Sequence, residues 1–295
     1  MSGALKEVRG RIKSVQSSQQ ITKAMKMVSA AKLRRAQDAI TQMRPYAQKM
    51  QEVLSNILSN TEGSIGGDLA TERAPEKVLL IVITSDRGLA GAYNSNVIKL
   101  AKATIKEHYA AQEAKGNVTI WSIGKKGFEH FAKNNYKVTD TYKDIFLNLT
   151  FENVQACAEA AVQGYRDHKF DVVEIIYSEF RNAATQVFLA SRFLPVPLAK
   201  PAVTNKNLKT DFIFEPSKEE LIAELIPKIL NTQLFKAVLD AHASEHGARM
   251  TAMDKASENA NELLRNLKIS YNRARQAAIT TELTEIVSGA AALAG

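Results

Sequence analysis

The sequence predicts a mixed α/β protein in which two very long terminal helices bracket one small domain. Three observations support this prediction. Apolar residues recur at alternating spacings of three and four near both ends, prolines and glycines are rare there, and strand patterns alternate with helical patterns between them. The 295 residues, of which 45% are hydrophobic, are enough to bury a substantial core. The sequence contains neither an apolar run long enough to cross a membrane nor a secretion signal at its start.

The first predicted element is a helix within residues 1–60. Apolar or small residues occupy coiled-coil seam positions at 5, 8, 12 and 15 and again at 33, 36, 40, 43, 47, 50, 54 and 57. Between these stretches the same frame passes through four polar residues, Gln19, Thr22, Lys26 and Ser29. A neighbouring row is apolar and consists of Ile21, Met25 and Val28. We therefore expect the helix to have rotated its apolar face towards this row, and the polar seam to leave the segment available to another partner.

The middle of the chain, residues 75–210, predicts a small Rossmann-like α/β domain with a mainly parallel sheet. Residues 60–75 have the composition of a linker. Strand patterns occupy residues 77–84, 117–123, 170–180 and 185–196, and helical patterns occupy residues 92–115 and 151–168. This alternation is typical of strands joined by crossover helices.

The last element, within residues 211–295, predicts a helix of about 70 residues with Ser217 as its N-cap. Apolar or small residues again step by threes and fours, at 253, 256, 260, 263, 267, 274 and 277, with Ser270 completing the frame. The first helix enters the domain at its C-terminal end and the last leaves it at its N-terminal end, so the two can pair only as an antiparallel two-helix coiled coil. The last helix is longer by about 17 residues and should project past the N-terminus by up to about 25 Å.

The positive charge of the chain lies in its N-terminal segment. Residues 1–60 contain eleven Lys or Arg and three acidic residues, which equals the whole chain's net charge of +8. Acidic protein loops, nucleic acid or anionic lipid could each bind such a segment. A helical scaffold that binds nucleic acid or acidic partners is therefore one alternative function, although Tyr46 is the segment's single aromatic residue and single-strand binders usually need several.

The sequence HASEH at residues 242–246 matches the H-x-x-E-H pattern of a group of zinc peptidases. His242 and His246 are spaced to share a metal on one helix face, with Glu245 beside them. A peptidase also needs a third ligand and a cleft, and this motif lies on an extended, paired helix. We therefore retain a zinc peptidase only as an alternative function and predict no metal ligands and no catalytic residues.

The sequence TSDRGLAGAYN at residues 84–94 follows a strand and begins a helix, which is the arrangement that holds phosphate at a helix N-terminus. It lacks the glycine spacing of a dinucleotide-binding turn and the Gly-Lys ending of a P-loop. A tight strand-to-helix turn explains its glycines, so we predict no cofactor.

Three blocks of the sequence resemble the gamma subunit family of F-type ATP synthases. They are RIKSVQSSQQITKAMKMVSAAKLRRAQ at residues 11–37, SDRGLAGAYN at 85–94 and ITTELTEIVSGAAA at 279–292. The resemblance covers the start, middle and end of the chain in the family's order. It implies a rotor shaft that turns inside a ring of three alpha and three beta subunits, with the α/β domain as a foot on the membrane c-ring beside the epsilon subunit.

In this family the chemistry belongs to the partners, so the resemblance implies a subunit that is not an enzyme by itself. It implies no nucleic-acid partner and no insertion into the membrane. The expected location is peripheral, on the cytoplasmic face of a bacterial plasma membrane, with the matrix side of a mitochondrial membrane as the alternative.

The resemblance also implies contact residues, carried over position by position. Those expected at the contact with the catalytic ring are Met25, Lys26, Arg249, Arg275, Gln276, Thr280 and Glu282. Those expected at a smooth C-terminal bearing tip are Ile286, Val287, Gly289 and Ala290. Those expected at the foot, near the c-ring and epsilon, are Phe212, Phe214 and Glu215.

Overall fold

The computed structural model describes residues 3–59, 69–183, 185–196 and 218–294. These residues form two compact units. The coil unit comprises Met1–Ser29 and Arg249–Gly295, and the sheet unit comprises Ala30–Ala248. The predicted N-cap, Ser217, lies outside the described residues.

Both predicted terminal helices are present. Helix α1 spans Gly3–Ser59 and helix α6 spans Lys218–Ala294, with lengths of 57 and 77 residues. Pro45 lies inside α1 and Pro227 inside α6, and neither ends its helix. The remaining elements lie between these two helices and belong to the sheet unit. They are β1 (Val78–Ile83), α2 (Tyr93–His108), α3 (Ala110–Ala114), β2 (Val118–Ile123), α4 (Lys125–Lys133), β3 (Lys137–Thr139), a short 3-10 helix (Ile145–Leu147), α5 (Phe151–Arg166), β4 (Val172–Phe180) and β5 (Gln186–Leu194).

The sheet has five strands in the order β3-β2-β1-β4-β5. The first four run parallel and β5 runs antiparallel to β4, which confirms the predicted mainly parallel sheet. Strand β3 was not predicted because three residues are too few to show an apolar period. Strand β1 is buried along its whole length, because both faces of a parallel sheet are covered by helices.

Two apolar layers enclose the sheet. Leu79, Ile81 and Ile83 point to one face, where helix α5 and the residues of α6 from Ile226 to Ala241 cover them. The alternate residues of β1, which are Val78, Leu80 and Val82, point to the other face and pack with α2 and Phe131 of α4. Successive side chains of a strand point to opposite faces of the sheet, so alternate residues of β1 belong to two different apolar cores.

In the coil unit, α1 and α6 pair in antiparallel orientation through polar side chains. Gln19 Nε2 donates a hydrogen bond to Asn261 Oδ1, the hydroxyls of Thr22 and Ser257 lie 2.8 Å apart, and Lys26 Nζ lies 2.5 Å from Asp254 Oδ1. As the residue number rises along α1, it falls along α6, and the two numbers of each pair sum to 279 or 280. These three polar layers fix one register between the helices.

The predicted rotation of α1 is therefore wrong. The seam positions of α1 remain buried or half-buried without a break from Leu5 to Ser29, including the polar ones. Ile21 and Val28, which form the row towards which the apolar face was expected to rotate, lie outside this seam and are 60% and 58% exposed. The helix keeps its polar seam because α6 presents polar partners at matching positions.

The predicted seam of α6 also needs a correction at every second position. Leu264 is 8% exposed, whereas the predicted seam residue Leu263 is 47% exposed. Ser257 is likewise buried in the seam. The observed seam follows residues 253, 257, 260, 264, 267, 271, 274 and 278, all of which are buried or half-buried. Both frames step by threes and fours, so spacing alone did not separate them.

The end of α6 extends beyond the described part of α1. The register places Gly3 level with about residue 277 of α6, and every residue from Ile279 to Leu293 is exposed. At 1.5 Å per residue this exposed segment is about 20 Å long. Its length agrees with the predicted projection.

The adjacent leucines of α6 provide a test of the seam. We expect Leu264→Ala to lower the free energy of unfolding of the coil by about 2 to 3 kcal/mol, because it removes a buried side chain. The matched control Leu263→Ala should cost less than about 1 kcal/mol. Thermal unfolding followed by far-ultraviolet circular dichroism measures both, and equal losses in the two variants would contradict the register.

Candidate functional site

The two contact residues predicted on α1 differ in their surroundings. Met25 is half-buried beside the exposed Ile21 and Val28, which follow the same helical row. Lys26 is held in the seam by Asp254, and 41% of its side chain is exposed. The two neighbouring residues therefore have different local roles, since Met25 borders an exposed apolar row and Lys26 fixes the helix pair.

Four of the predicted contact residues on α6 lie on its exposed segment or just before it. Arg275, Gln276, Thr280 and Glu282 are all exposed. Thr280 donates its hydroxyl to the carbonyl of Gln276 at 2.9 Å, one helical turn earlier. The structure thus brings these polar groups onto neighbouring turns of one helix.

Arg249 has different surroundings from the other predicted contact residues. It is only 8% exposed and packs within the chain. Its burial argues against a role as an accessible contact. The position of Arg249 in the sequence did not indicate that its side chain is buried.

The predicted bearing tip consists of exposed apolar and small residues. Ile286 and Val287 are 67% and 66% exposed, and a Cβ added to Gly289 would meet no atom within 4 Å. Ala290 is also exposed. The predicted foot residues Phe212, Phe214 and Glu215 lie outside the described residues.

The sheet unit has the topology of a ligand-binding α/β sheet, but α6 occupies the usual place of the ligand. In such sheets the ligand lies beyond the carboxyl ends of two adjacent strands whose connections run in opposite directions along the sheet. In this sheet those strands are β1 and β4. The Tyr93 hydroxyl donates to the carbonyl of Ala241 at 3.1 Å, and Ser178 Oγ donates to Ser244 Oγ at 3.1 Å. Ala248 packs into the same apolar cluster as Val82. Residues 241–248 of α6 therefore fill this crevice.

Polar groups of the turn after β1 form hydrogen bonds within the turn itself and with Asn94 of α2. Asn94 Oδ1 accepts a hydrogen bond from the backbone N–H of Ser85 at 2.9 Å, and the Ser85 hydroxyl donates to the carbonyl of Arg87 at 2.7 Å. Leu89 and Gly91 have φ values of 65° and 58°, so the turn needs a left-handed backbone at both residues. A tight turn explains this sequence, as predicted.

The HASEH motif lies on the part of α6 that fills the crevice. His242 Nε2 and His246 Nε2 are 3.1 Å apart, and Glu245 Oε2 is 3.7 Å from His246 Nε2. The ring of His242 stacks on Phe146 with centroids 5.5 Å apart and an angle of 16° between the planes. Burial, reinforced by His246, lowers the pKa of His242 to about 4. The structure thus brings together three atoms that could bind a metal, although the sequence predicted no metal ligands.

A cavity of about 530 Å³ lies among α1, β4, β5 and α6 of the sheet unit. Asp240 of α6 lines it and is 3% exposed, and its Oδ2 atom has no hydrogen-bond partner among the described residues. Burial is the main cause that raises the pKa of Asp240 to about 6, while Lys236 and Arg44 oppose the rise and Glu179 adds to it. No sequence pattern indicated this group, because only the fold buries it.

Comparison with known proteins connects this architecture to one family. The family model described as ATP synthase matches residues 4–293. The ATP synthase gamma chain of Cytophaga hutchinsonii is 52% identical over 291 residues, which cover 98% of this chain and 99% of the relative. This chain belongs to the ATP synthase gamma chain family. The gamma chain of Flavobacterium johnsoniae is 53% identical and covers 99% of both chains.

Solved structures agree with this membership. A chain of the Tetrahymena thermophila mitochondrial ATP synthase, from a structure of the central stalk and c-ring, matches with a TM-score of 0.55 and 26% identity. The match covers 80% of this chain and 99% of that one. A chain of the Euglena gracilis mitochondrial ATP synthase has a TM-score of 0.69 at 21% identity, covers 99% of this chain and 95% of that one, and supports the fold.

Among the described residues, no helix combines the length and the hydropathy needed to cross a bilayer.

The buried carboxyl of Asp240 predicts a pH dependence. Its folded-state pKa of about 6 lies above the ordinary value of 3.8, so the folded protein binds the proton more tightly than the unfolded chain. The contribution of Asp240 to stability therefore falls as the pH rises from about 4 to about 6. We expect Asp240→Asn to be more stable than the native protein at pH 7.5, and the gain to shrink at pH 4.5.

Urea unfolding at the two pH values measures this gain, and Asp38→Asn, on an exposed aspartate of α1, is the matched control. A gain in the Asp240 variant that is equal at both pH values would contradict the raised pKa.

Proposed function

We propose that this chain transmits torque between an ion-driven c-ring and the catalytic ring of three alpha and three beta subunits. It is a central-stalk subunit of an ATP synthase, given its full-length match to gamma chains. The observation that carries the torque proposal is the antiparallel coil, because two helices held in register by polar layers resist sliding along one another. ATP chemistry takes place on the partners, and this chain couples their sites to rotation without being an enzyme itself.

The exposed apolar row beside Met25 supports a contact with the catalytic ring. Ile21 and Val28 are more than half exposed, and the surrounding segment carries the chain's excess positive charge. Such a surface suits partner loops that are acidic and present some apolar side chains. Its contacts are weakened by salt, which suits a contact that must form and break at each step.

The exposed end of α6 supports a second contact. Four exposed side chains can form hydrogen bonds with a partner: Arg275, Gln276, Thr280 and Glu282. The apolar and small residues that follow them offer few groups that a partner could bind tightly. We assign the polar group to a catch that holds a beta subunit and the tip around Gly289 to a bearing. The foot residues Phe212, Phe214 and Glu215 are assigned to the c-ring and epsilon by sequence position alone.

The location follows from the same assignment. We place the chain on the cytoplasmic face of a bacterial plasma membrane as a peripheral subunit without membrane insertion. The high identity to bacterial gamma chains favours this placement over a mitochondrial one.

Affinity purification of the tagged chain from its native membranes tests the proposal. We expect the alpha, beta, epsilon and c subunits to co-purify with it, with ATP hydrolysis associated with the complex and absent from the isolated chain. Recovery of nucleic acid or of an unrelated scaffold, without these subunits, would contradict the proposal.

Met25 gives a test of the contact on α1. We expect Met25→Lys to lower ion pumping per ATP hydrolysed in the assembled complex, because it adds charge to an apolar contact that is already surrounded by basic residues. Met27→Lys is the matched control, since Met27 is 67% exposed and lies on nearly the opposite side of the helix.

Proton pumping and ATP hydrolysis are measured on the same inverted vesicles, and the unfolding temperature of each isolated variant is measured in parallel. Unchanged pumping per ATP in Met25→Lys, or an equal loss in Met27→Lys, would contradict the contact.

A further inference from the structure

We propose that His242, Glu245 and His246 bind one divalent transition-metal ion of the zinc class. The ion links two successive turns of α6 where that helix fills the crevice beyond β1 and β4. The site is structural, and it is separate from the torque-bearing contacts proposed for the coil unit.

The distance between the two imidazoles matches that of a metal site. Zinc binds histidine nitrogens at 2.0 to 2.1 Å, so two nitrogens on one ion lie about 2.9 to 3.4 Å apart. His242 Nε2 and His246 Nε2 are already 3.1 Å apart. Since the residues are four positions apart on one helix, an ion between the nitrogens needs no change of backbone.

Glu245 supplies a third ligand of the kind that zinc accepts. Its Oε2 lies 3.7 Å from His246 Nε2, and the candidate ligand atoms of all three residues lie within 4.8 Å of one another. The three residues are set at i, i+3 and i+4 on neighbouring turns. Two imidazoles and one carboxylate leave a fourth tetrahedral position for water.

The packing holds the ligands in place and leaves one side open. Phe146 stacks against the ring of His242 and restricts its rotation. His246 and Glu245 are 6% and 8% exposed, whereas His242 is half-buried and provides the route for an ion to enter. In the absence of metal, the two rings share one Nε2–H···Nε2 hydrogen bond. When the ion binds, the donating ring releases its Nε2 proton to solvent and takes up a proton on Nδ1, so that both neutral rings present an Nε2 lone pair to the metal.

Metal titration of the full-length chain tests the site. The chain is stripped with EDTA and titrated with Co²⁺, whose visible absorption reports its ligands, and Zn²⁺ is then added as competitor. We expect one Co²⁺ per chain, fully displaced by one Zn²⁺. His242→Gln and His246→Gln should each weaken binding at least tenfold, while His108→Gln, on an exposed histidine of α2, should bind like the native chain.

Nuclear magnetic resonance of the native chain gives a second measurement that needs no variant. Of the five histidines, we expect Zn²⁺ to shift the ring ¹⁵N signals of two. Absence of saturable binding, shifts on other histidines, or equal binding after both His242 and His246 are replaced would each overturn the proposal.

Discussion

The register between α1 and α6 is the constraint on which the coil unit depends. It is set by three polar layers, which join Gln19 to Asn261, Thr22 to Ser257, and Lys26 to Asp254. If the seam were entirely apolar, one helix could slide along the other by a heptad, because one apolar layer resembles the next. A lysine or aspartate that is displaced in this way loses its charged partner inside the seam. The register also decides which residues face outwards. It leaves Ile21 and Val28 exposed on α1 and leaves the last 15 or so residues of α6 without a described partner helix.

A second constraint explains how an α/β sheet with a nucleotide-binding topology serves a subunit whose proposed role is mechanical. The crevice beyond β1 and β4 is filled by residues 241–248 of α6, through hydrogen bonds to Tyr93 and Ser178. The polar groups that could hold a ligand therefore hold the chain's own helix. This part of α6 is joined to the sheet at several points, as a helix that carries torque requires.

The sequence predicted the fold well because its signals were local and strong. The apolar period of α1, the buried run of β1 and the strand–helix alternation each reflect one element and its own faces. The wrong predictions concern side chains whose burial depends on a second element of secondary structure. Spacing could not choose between Leu263 and Leu264, because only the register with α1 decides which one is buried. The polar stretch around Thr22 was likewise interpreted from one helix, although its partners lie more than 200 residues away.

The candidate sites show the same division. The contact residues predicted on the exposed end of α6 came from the resemblance to gamma subunits. The buried carboxyl of Asp240 could not be predicted, since its environment is made by several elements that are distant in sequence. The HASEH motif was visible in the sequence, but its significance depended on the position of α6 in the crevice and on Phe146 against His242.

The proposed role requires that α1 and α6 of the coil unit turn together as one shaft in this register, and a disulfide between them provides the test. Thr22→Cys and Ser257→Cys place two thiols where two hydroxyls are 2.8 Å apart, and the native Cys157 is buried. We predict that the pair forms a disulfide in the assembled complex on mild oxidation, that Thr22→Cys with Glu258→Cys does not, and that the linked complex still couples ATP hydrolysis to ion pumping. Failure of the first pair to link would exclude this register, and loss of coupling once it is linked would show that the two helices do not turn together.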